Sequence, residues 1–112
     1  MTEVVINKDD FKVNDGKPFE LPEMTVKKHE AILREMADSR DKYTNLEYSR
    51  ALQKELIYKS LKEVDKTVTK EMIESLHPTE FSDLSDAVWE AGRTDDDKKF
   101  RVGEQKSKED TK

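Results

Sequence analysis

The chain has 112 residues, of which 33% are apolar and 42% are charged, and its formal net charge is −5. An average soluble domain is about 45–50% apolar and about 25% charged, so we expect one small domain with a thin core that is helped by packing against a partner or a second copy. The absence of cysteine excludes disulfides, cysteine-ligated zinc and thiol nucleophiles, and an acidic chain with mixed charge signs argues against nucleic-acid binding.

Residues 1–22 predict a short hairpin or an extended β arm. The segment Asn14-Asp15-Gly16 is a turn signal, because Asp-Gly suits positions where φ is positive. Apolar residues alternate with polar ones on both sides of it, at Phe11 and Val13 before the turn and at Phe19 and Leu21 after it. The pattern fits a hairpin that pairs with itself and also an arm that crosses to a neighbouring copy.

Residues 23–92 predict a bundle of about four helices, the first of which begins after the N-cap Thr25. Its apolar face comprises Val26, His29, Ile32, Leu33 and Met36. The polar segment 38–44 fits a loop, and Asn45 is the expected cap of a longer helix that runs to about Asp65. The apolar face of this second helix comprises Leu46, Tyr48, Leu52, Leu56, Ile57, Leu61 and Val64.

Two shorter helices follow in the prediction. Thr69 is the expected cap of the third, which ends at His77-Pro78 because the residue before a proline is pushed out of the helical region. Thr79 is the expected cap of the fourth, whose apolar face comprises Phe81, Leu84, Val88 and Ala91, with Trp89 beside it and Gly92 as the stop. Residues 93–112 contain 7 basic and 6 acidic residues and predict a disordered tail.

The sequence contains no arrangement typical of an enzyme. Its two histidines cannot form a zinc-protease motif on one helix, since Leu33 stands where His29 would need a partner. Acidic residues three apart, such as Glu71 and Glu74, are expected by chance in a chain this acidic, and Pro78 separates two of the pairs. Glycine-rich phosphate loops and nucleophile elbows are also missing. We therefore predict a protein without catalytic activity, metal or cofactor.

The apolar stripes of the helices are the remaining functional candidates. Taken singly, each apolar residue is better explained as core, but amphipathic helices with so little apolar material often share their stripes with another chain. Tryptophan and tyrosine are also common anchors of interfaces. The predicted partner-binding residues are Leu33, Met36, Tyr48, Leu52, Leu56, Met72, Phe81, Leu84, Val88 and Trp89.

The order of these parts resembles a known family. An extended segment with Phe19-Glu20-Leu21 leads into Thr25-Val26 and a helix, and a long helix follows. A short helix then ends in the sequence HPTEFSDL at residues 77–84, and SDAVWE closes the pattern at residues 85–90. Over residues 19–92 this arrangement resembles the tail assembly chaperones of long-tailed bacteriophages and prophages.

The resemblance implies a protein that binds the tape-measure protein, covers its amphipathic helices and keeps it soluble until tail-tube protein assembles around it. Such a chaperone is expected in the host cytoplasm, as a homo-oligomer, and not in the mature virion. An apolar run no longer than Val4-Val5-Ile6 and a start without signal-peptide character agree with this location and with no membrane contact. The alternatives are a small virion or head–tail accessory protein and a regulatory protein that inhibits a host protein.

Overall fold

The structure is a computed structural model that describes residues 2–91 and 98–102, and within them it is mainly α-helical with one small sheet. This confirms the predicted fold class. The four α-helices are α1 (Val26–Met36), α2 (Asn45–Val64), α3 (Lys70–Glu74) and α4 (Pro78–Glu90). The four strands are β1 (Thr2–Lys8), β2 (Phe11–Lys12), β3 (Phe19–Glu20) and β4 (Lys98–Val102). No helix of the described residues is long and apolar enough to cross a membrane.

The sheet is organised around β1. This strand pairs antiparallel with β2 and β3 and parallel with β4. Val4 is paired with Phe19 of β3 and also with Phe100 of β4, so these two strands lie on opposite edges of β1. The N-terminal segment is therefore a sheet that packs on the helices of its own chain, with Val4 and Ile6 in the core.

The predicted turn at Asn14–Gly16 is present, but it does not join two strands that pair with each other. All three residues have positive φ, a conformation that asparagine, aspartate and glycine tolerate best. A Cβ on Gly16 would lie 2.9 Å from the side chain of Asn7, so any other residue here would also displace that side chain. The backbone N–H of Asn14 donates to Asp65 at 3.0 Å and ties the turn to the end of α2.

Capping residues define the helix starts. Thr25 and Thr69 cap α1 and α3 as predicted, since each hydroxyl accepts a backbone N–H of the first turn. The cap of α2 is Thr44 and not Asn45, because Thr44 and Glu47 form a reciprocal capping box. The cap of α4 is His77 and not Thr79, because Pro78 already occupies the first turn. The expected loop at 38–44 is mostly a 3-10 helix, Ala37–Lys42.

The prediction of a disordered tail over residues 93–112 is wrong for five residues. Lys98–Val102 form β4 in register with Thr2–Ile6, and Val102 is buried in the core. The sequence prediction missed this strand because the segment is highly charged. Phe100 and Val102 nevertheless alternate with polar residues, as residues on one face of a strand do. The rest of that tail, and the predicted stop at Gly92, lie outside the described residues.

One hydrophobic core joins the inner face of the sheet to the helices. The fourth helix contributes the predicted residues Phe81, Leu84, Val88 and the terminal Ala91. The first helix buries only Ile32, and Val26 is 73% exposed although it belongs to the predicted apolar face. Leu46 at the start of α2 is likewise 78% exposed. The first turns of α1 and α2 therefore extend past the core.

Some of the many charged residues form ion pairs between secondary-structure elements. Lys59 contacts Glu35 across α1 and α2 at 3.0 Å, and Lys70 contacts Glu55 across α3 and α2 at 3.0 Å. The hydrogen bond with Glu55 raises the pKa of Lys70. Lys59 also lies 4.0 Å from Glu55, one turn earlier on α2. Each exposed pair contributes at most about 1 kcal/mol, so together they fix helix positions more than they add stability.

Candidate partner-binding surface

A groove lies between α2 and the α3–α4 pair, with a volume of about 380 Å³. Its first wall comes from the segment before α2 and from the first half of that helix: Tyr43, Glu47, Arg50, Ala51 and Lys54. Its second wall comes from α3, the following turn and the start of α4: Ile73, Glu74, Leu76, Pro78 and Phe81. The groove exists because Pro78 sets the direction in which α4 leaves α3, and because Ala51 leaves space on the facing helix.

The floor of the groove is apolar and continuous with the core. Ile73 and Phe81 line the groove and are also members of the buried cluster. Tyr43 in the groove wall is 37% exposed. Leu46 does not line the groove and is 78% exposed. Leu46 lies one helical turn before Arg50, on the same side of α2. The groove can therefore accept apolar side chains, and its approach is flanked by further apolar surface.

Four charged residues line the groove, and three of them have partners within the protein. Glu47 accepts the backbone N–H of Thr44 at 3.0 Å in the capping box. Lys54 and Glu74 form an ion pair of 2.6 Å across the groove, and the hydrogen bond from Lys54 lowers the pKa of Glu74. Arg50 is the fourth: its guanidinium carbon lies 5.1 Å from the centre of the Phe81 ring, a cation–π distance.

A second arginine–aromatic contact adjoins the groove. The guanidinium of Arg40 lies 4.5 Å from the centre of the Tyr48 ring, and Tyr48 in turn lies 6.4 Å from Tyr43 in the groove wall. The guanidinium of Arg40 also donates to the side-chain oxygen of Asn45 at 2.5 Å. A guanidinium that lies on the face of a ring can still donate through its N–H groups. This end of α2 therefore presents both apolar and cationic surface.

Trp89 is a further exposed apolar side chain, 46% exposed near the end of α4. The rings of His29 and Trp89 form a T-shaped contact, with 5.1 Å between ring centres and planes at 84°. This contact links α4 to α1. Trp89 does not line the groove, so the two exposed apolar regions are distinct.

The structure separates the predicted partner-binding residues into different environments. Leu56, Leu84 and Val88 are buried in the core, so they do not offer surface to a partner, and their prediction as contact residues is corrected. Met36, Leu52 and Met72 pack against the core and are only partly buried. Leu33 and Tyr48 are also partly exposed, Phe81 forms the groove floor, and Trp89 stands apart.

Sequence reasoning missed the residues that shape the groove, above all Ala51, Arg50 and Tyr43. Alanine carries no periodic apolar signal, and the space at Ala51 depends on α3 and α4, which begin nineteen and twenty-seven residues later in the chain. The spacing of Leu46 was misleading, because it matched the buried face of α2 although the residue is exposed. The only usable sign was Pro78, which required a change of direction between α3 and α4.

The described residues contain no group of three His, Asp or Glu side chains placed to hold a metal ion. No protein-family model, curated protein or solved structure matches the chain. Functional argument therefore depends on the groove, on the exposed apolar side chains beside it and on their charge.

Proposed function

We propose that this protein is a tail assembly chaperone that binds amphipathic helices of a phage tape-measure protein in the groove between α2 and α3–α4. The observation that carries the proposal is the apolar floor of that groove, formed by Ile73 and Phe81 and flanked by exposed Tyr43 and Leu46. An amphipathic helix binds such a groove through apolar residues spaced three and four apart. The architectural resemblance over residues 19–92 supports the identity of the client.

The size of the groove suits weak and reversible binding. Burying one leucine-sized side chain contributes about 1.5–3 kcal/mol, so two or three anchors contribute about 3–9 kcal/mol. Association costs about 4–15 kcal/mol in lost freedom, so one groove holds a helix only weakly. Many copies along one long client would bind firmly together and still release step by step as tail-tube protein replaces them. A net charge of −5 would help such a complex to stay soluble.

The test is coexpression of the full chain with the tape-measure protein of the same phage, with the soluble fraction and the co-purified client as readouts. Leu46→Ala removes an apolar side chain near the groove that is 78% exposed, so the fold should be unaffected. Val26→Ala is the matched control, because Val26 is 73% exposed but lies on α1 away from the groove. Ala51→Trp fills the groove, and its folding is checked separately by circular dichroism.

The proposal expects that the wild type and Val26→Ala keep the tape measure soluble and co-purify with it. Leu46→Ala should reduce recovery of the client, and folded Ala51→Trp should reduce it further. A tape-measure protein that stays insoluble with the wild type overturns the proposal. Recovery of the chain in purified virions would favour the accessory-protein alternative, and a stoichiometric complex with one globular host protein would favour the regulatory alternative.

A further inference from the structure

Arg50 differs from the other charged residues of the groove because it has no acidic partner. Glu47 is used by the capping box, and Lys54 and Glu74 neutralise each other. Among the described residues no carboxylate forms an ion pair with Arg50, whose contact is the face of the Phe81 ring. Arg50 is therefore the one charged side chain of the groove lining whose polar atoms form neither a hydrogen bond nor an ion pair within the described residues, and it lies directly beside the apolar floor.

We infer that the groove selects an amphipathic helix that carries a carboxylate next to its apolar stripe, and that Arg50 is the residue that binds this carboxylate. The inference rests on the proposed function and specifies its partner. Phe81 forms the apolar floor and also holds the guanidinium 5.1 Å above its ring. An apolar side chain on the floor would therefore bring a residue one helical turn away close to Arg50. The planar guanidinium can meet a carboxylate with two parallel hydrogen bonds, which a lysine cannot.

The opposite charge would be rejected at the same place. A helix with lysine in that position would bring two cations together, and like charges are unfavourable at an interface. Selection by charge would give the groove a preference among the many amphipathic helices in a cell, which apolar contacts alone do not provide.

The experiment measures binding of the full chain to three fluorescent helical peptides of about 20 residues, a length at which isolated helices form. All three peptides share one leucine stripe, and the flanking positions carry glutamate, glutamine or lysine. Arg50→Gln removes the charge, and Arg50→Lys keeps the charge without the planar fork. Arg34→Gln is the matched control, since it makes the same change in net charge at an exposed arginine of α1 that does not line the groove.

The wild type and Arg34→Gln should bind the glutamate peptide about threefold to fivefold more tightly than the glutamine peptide, and the lysine peptide least. Arg50→Gln should remove this preference, Arg50→Lys should keep only part of it, and added salt should weaken it. Equal binding of all three peptides, or a preference that survives Arg50→Gln, overturns the charge selection. Equal binding would leave the proposed chaperone function standing, because that function is judged by recovery of the tape-measure protein. Failure of every peptide to bind also overturns the inference.

Discussion

Replacing Glu80 should destabilise the protein, because this one carboxylate makes two contacts that hold α4. One oxygen of Glu80 accepts the backbone N–H of His77 at 2.9 Å and caps α4. The same oxygen contacts the amine of Lys8 at 2.9 Å and so joins the helix to β1. Both side chains are about three-quarters buried, with 25% and 24% exposure, so solvent screens this pair less than an ordinary surface pair.

The magnitude follows from the two contacts. A lost helix cap costs about 1 kcal/mol, and the ion pair contributes up to about 1 kcal/mol. Glu80→Ala removes both and should lower the free energy of unfolding by about 2 kcal/mol, or the melting temperature by roughly 8 °C. Glu80→Gln keeps an oxygen that can cap α4 and should lose only about 1 kcal/mol.

The stabilisation by Glu80 should depend on pH, and the direction follows from the shift of its pKa. Burial tends to raise the pKa of Glu80, but the hydrogen bond from His77 and the interaction with Lys8 outweigh burial and lower the folded pKa from its ordinary value. A lowered folded pKa means that the stabilisation is complete above the unfolded pKa and is lost as pH falls through the folded pKa. The difference between wild type and Glu80→Gln should therefore be full near neutral pH and shrink below about pH 4.5.

Urea unfolding followed by circular dichroism measures these differences across pH. Glu30→Gln is the matched control, because Glu30 is an exposed glutamate of α1 and the same charge is lost. It should stay within about 0.5 kcal/mol of the wild type. The reasoning is refuted if Glu80→Ala also stays within that range, or if the gap between wild type and Glu80→Gln is the same in acid as at neutral pH.

Four further stability predictions can be checked by the same unfolding measurement. Thr44→Ala breaks the capping box of α2 and should cost about 1 kcal/mol. Leu84→Ala opens a cavity in the core and should cost about 2–5 kcal/mol, and a cost below 1 kcal/mol would contradict its buried position. Ser60→Ala should leave stability unchanged or raise it, because the buried hydroxyl of Ser60 has no hydrogen-bond partner among the described residues. Val102→Ala should cost about 1–2 kcal/mol, since this residue of β4 is buried, whereas a disordered tail would show no loss.

Local chemistry explains what the sequence predicted correctly. A threonine followed by an uninterrupted helical segment marks the starts of α1 and α3, because a cap acts on backbone groups within its own first turn. The buried face of α4 was also predictable, since Phe81, Leu84 and Val88 repeat with the helical period on a helix that is covered by both the sheet and α2. These features depend on residues that are neighbours in the chain.

Tertiary structure decided the remainder, because it depends on which distant segments meet. The spacing of Val26 and Leu46 matches buried positions, yet both side chains are exposed, because neither belongs to the core that the packed elements form. Val102 is buried because β4 pairs with β1, which lies at the other end of the chain. The periodicity within residues 93–112 does not reveal this pairing. The groove also depends on segments that are distant in sequence, because Ala51 and Phe81 line it together only when α3 and α4 pack against α2. Sequence alone determined the helices and the caps of α1 and α3, and packing between distant elements determined which surfaces are left for a partner.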